Sequence, residues 1–240
     1  DISISRPQRD IPWGVPVPDD STQTMYVWME ALVSYLSSLG YGRDDPAYVE
    51  NVQKWWPAAA QVVGKDNLRF HAAIWPGMLL SAGLELPRLV FVHGFVNVDG
   101  KKISKTVGNV IAPEEVVTKY GADAVRYFFL RDFPSNEDGN FSYRSLEERY
   151  NGELANGLGN LVARVAALGE RISPVSFEFE RDVSPEVKSE VNAVFGRYEE
   201  SFDELKLNEA LAEIWRLIGF ADKYINATRP WAIQDNQNFK

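Results

Sequence analysis

Along the first part of the chain, short apolar runs alternate with stretches of helical period. Met25-Tyr26-Val27-Trp28 reads as a strand passing at once into a helix from Glu30 to Ser38, with apolar Ala31, Leu32, Tyr35 and Leu36 close together on one helical face. Gln61-Val62-Val63 predicts another strand. It runs into Gly64-Lys65-Asp66 and then into a helical stretch holding His71, Ile74, Met78 and Leu79, which Pro76 should kink or break. Leu89-Val90-Phe91-Val92 is an uninterrupted apolar run ending at His93-Gly94, the pattern of a strand buried on both faces. Strand, turn and helix in succession predict a parallel α/β sheet, and such sheets bind ligands beyond the carboxyl ends of their strands. Gly64, Asp66, His93 and Gly94 all fall at such ends.

Beyond residue 146 the pattern becomes helical throughout. Leu154, Leu158, Leu161, Val162, Val165 and Leu168 form one apolar stripe. Ser184-Pro185 supplies a capping hydroxyl before a first-turn proline, and Val187, Val191, Val194, Phe195, Tyr198 and Phe202 follow it. A third stripe runs through Leu207, Leu211, Ile214, Trp215, Ile218, Ala221 and Ile225. Three amphipathic helices with short connections predict an all-α bundle, and the ending Asn238-Phe239-Lys240 suggests that a helix is missing from it.

Composition narrows the chemistry. The 240 residues are 45% hydrophobic and 25% charged, a globular balance. No apolar run approaches the ~20 residues of a membrane span. The opening Asp1-Ile2-Ser3-Ile4-Ser5-Arg6 has neither the Arg-rich nor the apolar character of a leader. Absence of cysteine excludes disulfides, Cys-bound zinc and thiol catalysis and fits a reducing, cytoplasmic setting; with only two histidines, no metal site is expected. The net charge is −9, from 14 Lys/Arg against 17 Asp/Glu in residues 1–146 and 11 against 17 in residues 147–240. A nonspecific nucleic-acid coat would be basic, so any RNA contact must be made by a few placed side chains.

Asp99-Gly100 predicts a two-residue hairpin turn between Val96-Asn97-Val98 and Lys101-Lys102-Ile103, followed by Ser104-Lys105-Thr106-Val107-Gly108-Asn109. Lysines clustered on a Gly-bounded loop after a sheet can gather around a polyphosphate, where fixed ammonium groups stabilise charge developing on the leaving oxygens. A solvated basic hairpin is the plainer reading of the same lysines.

Lys102 to Thr106 resembles the Lys-Met-Ser-Lys-Ser signature of class I aminoacyl-tRNA synthetases, with Ile103 and Thr106 as conservative departures. Gly108-Asn109-Val110-Ile111 and Tyr120 to Tyr127 resemble the same family. Tyr26 to Tyr35 is similar to the methionine-pocket helix of methionyl-tRNA synthetases, Gly64 to His71 to their nucleotide- and methionine-facing segment, and Phe91 to Val96 to the strand before their lysine loop. The resemblance runs from about residue 1 to 231. It implies the second half of a Rossmann-like catalytic domain over 1–118, a connecting, stem-contact region over 119–146, and an anticodon-binding helical bundle, truncated, over 147–240.

The resemblance also implies roles. Trp28, Ala31, Tyr35 and His71 would line a methionine pocket, the aromatics giving walls and weak donors to the sulfur; sulfur–aromatic contacts contribute ~0.3–1.5 kcal/mol each. Gly64, Asp66, His93, Val96, Lys102 and Lys105 would face ATP, bound with Mg2+ as the substrate complex, and Lys102 and Lys105 would be catalytic. Asn67 departs from the family's apolar residue there. Asn160 and Arg164, which share a helix face, would read anticodon base edges of tRNA(Met), and Trp231 would stack on an unpaired base. From the residues alone, Trp28 reads equally as core, His71 as a satisfied interior histidine and Trp231 as a cap on the bundle.

The His-rich phosphate motif and the zinc-bearing insertion usual in this family do not occur in the sequence, so the chain is expected to be a fragment, incompetent alone, of an ATP-dependent, AMP-forming methionine–tRNA ligase. The alternatives are a class I synthetase for leucine, isoleucine, valine or cysteine, and a non-catalytic tRNA-binding module.

Overall fold

The computed structural model describes residues 4–56, 60–104, 108–170 and 183–232, arranged as two units, Asp1–His93 and Gly94–Lys240. The architecture is mixed α/β with small sheets.

The first unit opens with an antiparallel sheet that the apolar pattern does not foretell. Strands β1 (Ser5–Pro7), β2 (Pro16–Val17) and β3 (Asp20–Met25) lie in the order β1-β3-β2, and polar Thr22 and Thr24 sit in β3. The strand expected over residues 25–28 therefore ends at Met25. Pairing with β1 stops at Ser5↔Met25 and one further bond, Tyr26 N to the Ile4 carbonyl at 2.9 Å. Tyr26 is the extended cap, and helix α1 (Val27–Ser37) starts directly after it. Helix α2 (Pro46–Trp55) follows, its first amides held by the Asp45 carboxylate, which accepts from Ala47 N at 2.9 Å.

Strands β4 (Ala60–Gly64) and β5 (Leu89–His93) form a parallel pair, in register from Ala60↔Leu89 to Gly64↔His93. Between them a π-helical turn, Phe70–Ile74, leads into α3 (Trp75–Ser81). The change of register falls beside Pro76, whose nitrogen has no hydrogen to offer the preceding turn. The strand expected to be buried on both faces is not: Leu89 is 40% exposed and Val90, Phe91 and Val92 are half-buried, because β4 is the only strand paired with β5 among the described residues. The core of this unit is Leu32, Leu36, Trp56, Trp75 and Leu79, with Trp28 and Phe70 packed at its margin.

In the second unit β6 (Val96–Val98) pairs antiparallel with β7 (Lys101–Lys102) and parallel with β8 (Gly139–Phe141). Helices α4 (Pro113–Tyr120) and α5 (Ala122–Asp132) meet at Gly121, whose φ of 84° suits glycine. Val98, Val116, Val125, Phe128, Phe141 and Leu146 make the core beneath the sheet. Helix α6 (Tyr143–Arg149), capped by Ser142 and Ser145, runs on through a π-helical stretch, Tyr150–Gly159, into α7 (Asn160–Gly169). Helices α8 (Pro185–Asp203) and α9 (Leu207–Thr228) pack together over Val194 and Ala210, and α9 also packs against α5. The Ser184 hydroxyl accepts from Val187 N, as the Ser-Pro signal predicts. The first apolar stripe is only partly covered, with Leu158, Val162 and Val165 between 39% and 56% exposed. Among the described residues no helix is long and apolar enough to cross a membrane.

Candidate functional site

Helix α1 carries Trp28, Ala31 and Tyr35 at turn-spaced positions, and the π-helical turn presents consecutive residues Phe70 and His71 toward it. Trp28 stacks on Phe70, centroids 4.1 Å apart and planes 10° apart, and meets His71 edge-on at 5.9 Å. Tyr35 meets His71 edge-on at 5.8 Å. His71 is buried, with Nδ1 3.1 Å from the Asn67 carbonyl oxygen and Nε2 2.9 Å from the Tyr35 hydroxyl. A carbonyl can only accept, so these partners assign the imidazole proton to Nδ1, and Nε2 accepts from Tyr35. The Tyr35 hydroxyl and the His71 N–H foreseen as donors to a sulfur ligand are thus engaged with protein. Asn67 enters through its main chain, so its unusual side chain does not bear on the His71 contact. Ala31 is exposed beside these rings on the same helix.

At the carboxyl ends of β4 and β5, Gly64, Asp66 and His93 come together. Lys65 N donates to the His93 carbonyl at 3.1 Å and Asn67 N to the Gly64 carbonyl at 2.9 Å, which fixes the turn. A methyl group on Gly64 would stand 2.9 Å from an Asp66 carboxylate oxygen and 3.5 Å from His93 Cε1. The glycine therefore keeps open a gap flanked by a carboxylate, able to accept from hydroxyl groups, and an imidazole, placed where parallel sheets bind ligands.

In the second unit, Asp99 (φ 47°) and Gly100 (φ 75°) form the two-residue turn between β6 and β7. The turn is tied to β8: Gly100 N donates to Asn140 Oδ1 at 2.6 Å and Asp99 N to the Phe141 carbonyl at 3.1 Å. Val96 starts β6, and Lys101 and Lys102, adjacent on β7, point to opposite faces. Lys102 Nζ lies 5.1 Å from the centre of the Phe95 ring. Lys105 and Thr106 lie outside the described residues. On the helices, Arg164 of α7 donates to Asp222 at 2.5 Å and to Asn226 at 2.8 Å, with its guanidinium carbon 5.9 Å from the ring centre of half-exposed Trp231. Arg229, left-handed at φ 47°, ends α9, and Pro230 turns the chain toward Trp231. A cleft of about 660 Å³ is lined by Asn156, Asn160, Arg164, Trp215 and Asp222 among others, and a cavity of about 180 Å³ by Arg164, Ala167, Leu168 and Trp231. Asn160 and Arg164 thus share one cleft, and Arg164 links it to Trp231.

Sequence reasoning gave no role to Phe70, Asn109, Asp222 or Asn226. Phe70 and Asn109 lay inside motifs already noticed, and Asp222 and Asn226 carry the one-turn spacing that could have marked them as one face. Among the described residues no group of three or more His, Asp or Glu side chains is placed to hold a metal ion.

The chain is 42% identical to the methionine–tRNA ligase of Thermotoga maritima over its whole length and 39% identical to that of Mycobacterium leprae over 99% of it, spanning 38% and 44% of those relatives' lengths. A solved Mycobacterium tuberculosis methionyl-tRNA synthetase in complex with methionyl-adenylate superposes with a TM-score of 0.84 at 37% identity, covering 99% of this chain and 47% of that one. Residues 1–166 match the family described as tRNA synthetases class I (M), and the chain belongs to that family.

Proposed function

We propose that the protein containing this chain activates L-methionine with ATP and transfers it to tRNA(Met). The methionine carboxylate attacks the α-phosphorus of ATP, the bond to the β-phosphate bridging oxygen breaks, and methionyl-adenylate and pyrophosphate form; the tRNA 3′-terminal hydroxyl then displaces AMP. No covalent enzyme intermediate is needed, so positioning and charge stabilisation carry the rate.

The observation that carries this reading is the Trp28–Phe70–His71–Tyr35 cage in the same unit as Gly64, Asp66 and His93 at the ends of a parallel strand pair. An aromatic cage suits a polarizable thioether, and a relative of similar structure holds methionyl-adenylate. Trp28, Ala31, Tyr35 and His71 contact methionine; Gly64, Asp66, His93 and Val96 face the nucleoside; Lys102 and Lys105 stabilise departing pyrophosphate, with Mg2+ arriving on ATP. Asn160, Arg164 and Trp231 contact the anticodon. The fold on this reading is the second half of a Rossmann-like domain over 1–118, a stem-contact region over 119–146 and an anticodon-binding bundle over 147–240, in a cytoplasmic enzyme.

The test is amino-acid-dependent ATP–pyrophosphate exchange by the full-length protein. Exchange should require methionine, fail with leucine, isoleucine, valine and cysteine, and fall at least tenfold in Lys102→Ala with methionine affinity unchanged. Exchange driven equally by another of these amino acids, or undiminished in Lys102→Ala, would refute it.

A further inference from the structure

The Asn109 side chain bridges the start of the lysine loop. Its Oδ1 accepts from Ser104 N at 2.9 Å, and its Nδ2 donates to the Lys102 carbonyl at 3.1 Å. The two backbone groups flank Ile103. A neighbouring strand in a parallel sheet bonds in this way, one residue accepting through its carbonyl from the residue after the central one and donating its N–H to the carbonyl of the residue before it. The amide of Asn109 therefore acts as a one-residue strand partner to Ile103, continuing β7's support where its pairing with β6 has ended at Lys102.

A third bond joins two described residues nearby. Gly108 N donates to the Ser104 carbonyl at 3.1 Å, with Gly108 at φ 74°, the left-handed conformation glycine adopts without strain. Together with the ties from Asn140 and Phe141 to the preceding turn, these bonds hold the chain on both sides of the segment that carries Lys105. Few side chains can replace this amide. An aspartate keeps the acceptor and loses the donor, an alanine loses both, and a glutamine is one methylene too long for the same short bridge.

We propose that Asn109 is a positioning residue for phosphate chemistry, fixing the backbone from which Lys102 projects. The inference rests on reading this hairpin as part of the ATP site. Preorganised ammonium groups stabilise developing charge without reorganising during the reaction, and a misplacement of about 1 Å can cost on the order of a hundredfold in rate. The clamp should therefore affect adenylate formation and leave methionine binding alone.

The experiment is single-turnover formation of methionyl-adenylate by the full-length protein, with methionine binding followed by tryptophan fluorescence and exchange of the Ser104 amide followed by mass spectrometry or NMR. Asn109→Ala should slow adenylate formation at least tenfold, leave the methionine dissociation constant within twofold, and speed Ser104 exchange at least tenfold. Asn109→Asp, which keeps the acceptor, should fall between it and the unaltered protein. Because the clamp acts through the lysines, Lys102→Ala/Asn109→Ala should be slowed by less than the product of the two single effects. Unchanged turnover in Asn109→Ala while Lys102→Ala is slow would overturn the clamp and leave the lysine-loop reading standing; unchanged turnover in both would overturn that reading itself. Fully multiplicative effects, or unchanged Ser104 exchange, would also overturn the clamp.

Discussion

Glu153 sits where three helical segments meet, and removing it should cost far more than removing an ordinary surface carboxylate. Its side chain, 19% exposed, accepts from Arg131 Nη2 at 3.1 Å, from Arg149 Nη1 at 2.7 Å and from the Tyr127 hydroxyl. Arg131 is 20% exposed, and its Nε is buried with no hydrogen-bond partner, so Glu153 is the carboxylate that compensates its charge. Arg149 keeps a second partner in Asp132 at 2.8 Å, and Tyr127 also accepts from Trp215 Nε1. Breaking a fully buried pair costs ~3–5 kcal/mol. These side chains are a fifth to a third exposed, so screening and water access reduce that, and about 2–3 kcal/mol is expected for Glu153→Ala. In a unit of this size each kcal/mol moves the midpoint by roughly 2–4 °C, so the melting temperature should drop by about 4–12 °C. Glu153→Gln keeps an acceptor for Tyr127 and should lose about half as much. Circular dichroism melts, with Trp215 fluorescence as a second probe, measure both. The control is Glu148→Ala, whose partner Arg144 is an exposed one-turn neighbour at 2.8 Å; its midpoint should not move measurably. Equal midpoint shifts for Glu153→Ala and Glu148→Ala would refute the reasoning.

Tyr127 predicts alkaline sensitivity: burial first, and then its bond to Glu153, push the hydroxyl well above the usual tyrosine range. The folded state holds that proton more tightly than the unfolded chain, so the contribution is complete below about pH 10 and is lost as pH rises from there toward the folded value. Stability of the unaltered protein should therefore fall more steeply between about pH 9.5 and 11 than that of Tyr127→Phe, measured by urea unfolding; parallel slopes would contradict this. Gly139→Ala should destabilise the second unit by roughly 1–3 kcal/mol through overpacking, since its methyl would lie 1.6 Å from Phe133 Cδ1 in a ring cluster with Phe128 and Phe129. Shrinking the obstacle with Phe133→Leu should restore part of that loss, and a double variant no better than Gly139→Ala would argue against the clash.

Much of the local structure was legible in the residues. Asp99-Gly100 makes a tight turn because both residues tolerate positive φ, Ser184-Pro185 starts a helix by satisfying its first amides, and the apolar spacing of α8 and α9 matches the helical repeat. Those signals act over a few residues, so the chain states them wherever it goes. The strand ends at Gly64 and His93 were readable for the same reason, as apolar runs stopping at glycine. The antiparallel sheet around β3 was not: its strands are short and polar, and only pairing with distant segments makes them strands.

Side-chain partnership was likewise beyond the sequence. A histidine in a helical stretch does not state its tautomer; that follows from where the Asn67 carbonyl and the Tyr35 hydroxyl come to lie. Arg164 meets Asp222 across 58 positions, and β6 finds its parallel partner β8 at Asn97↔Asn140. The sequence by itself determined the strand ends at Gly64 and His93, the Asp99-Gly100 turn, the helical repeats of α1, α8 and α9, and which residue types could do the chemistry, because backbone preferences and hydrophobic period are short-range. Only the tertiary structure decided which donors are already engaged, which strand faces stay open and what holds the lysine hairpin, because those depend on groups that meet only after the chain has folded.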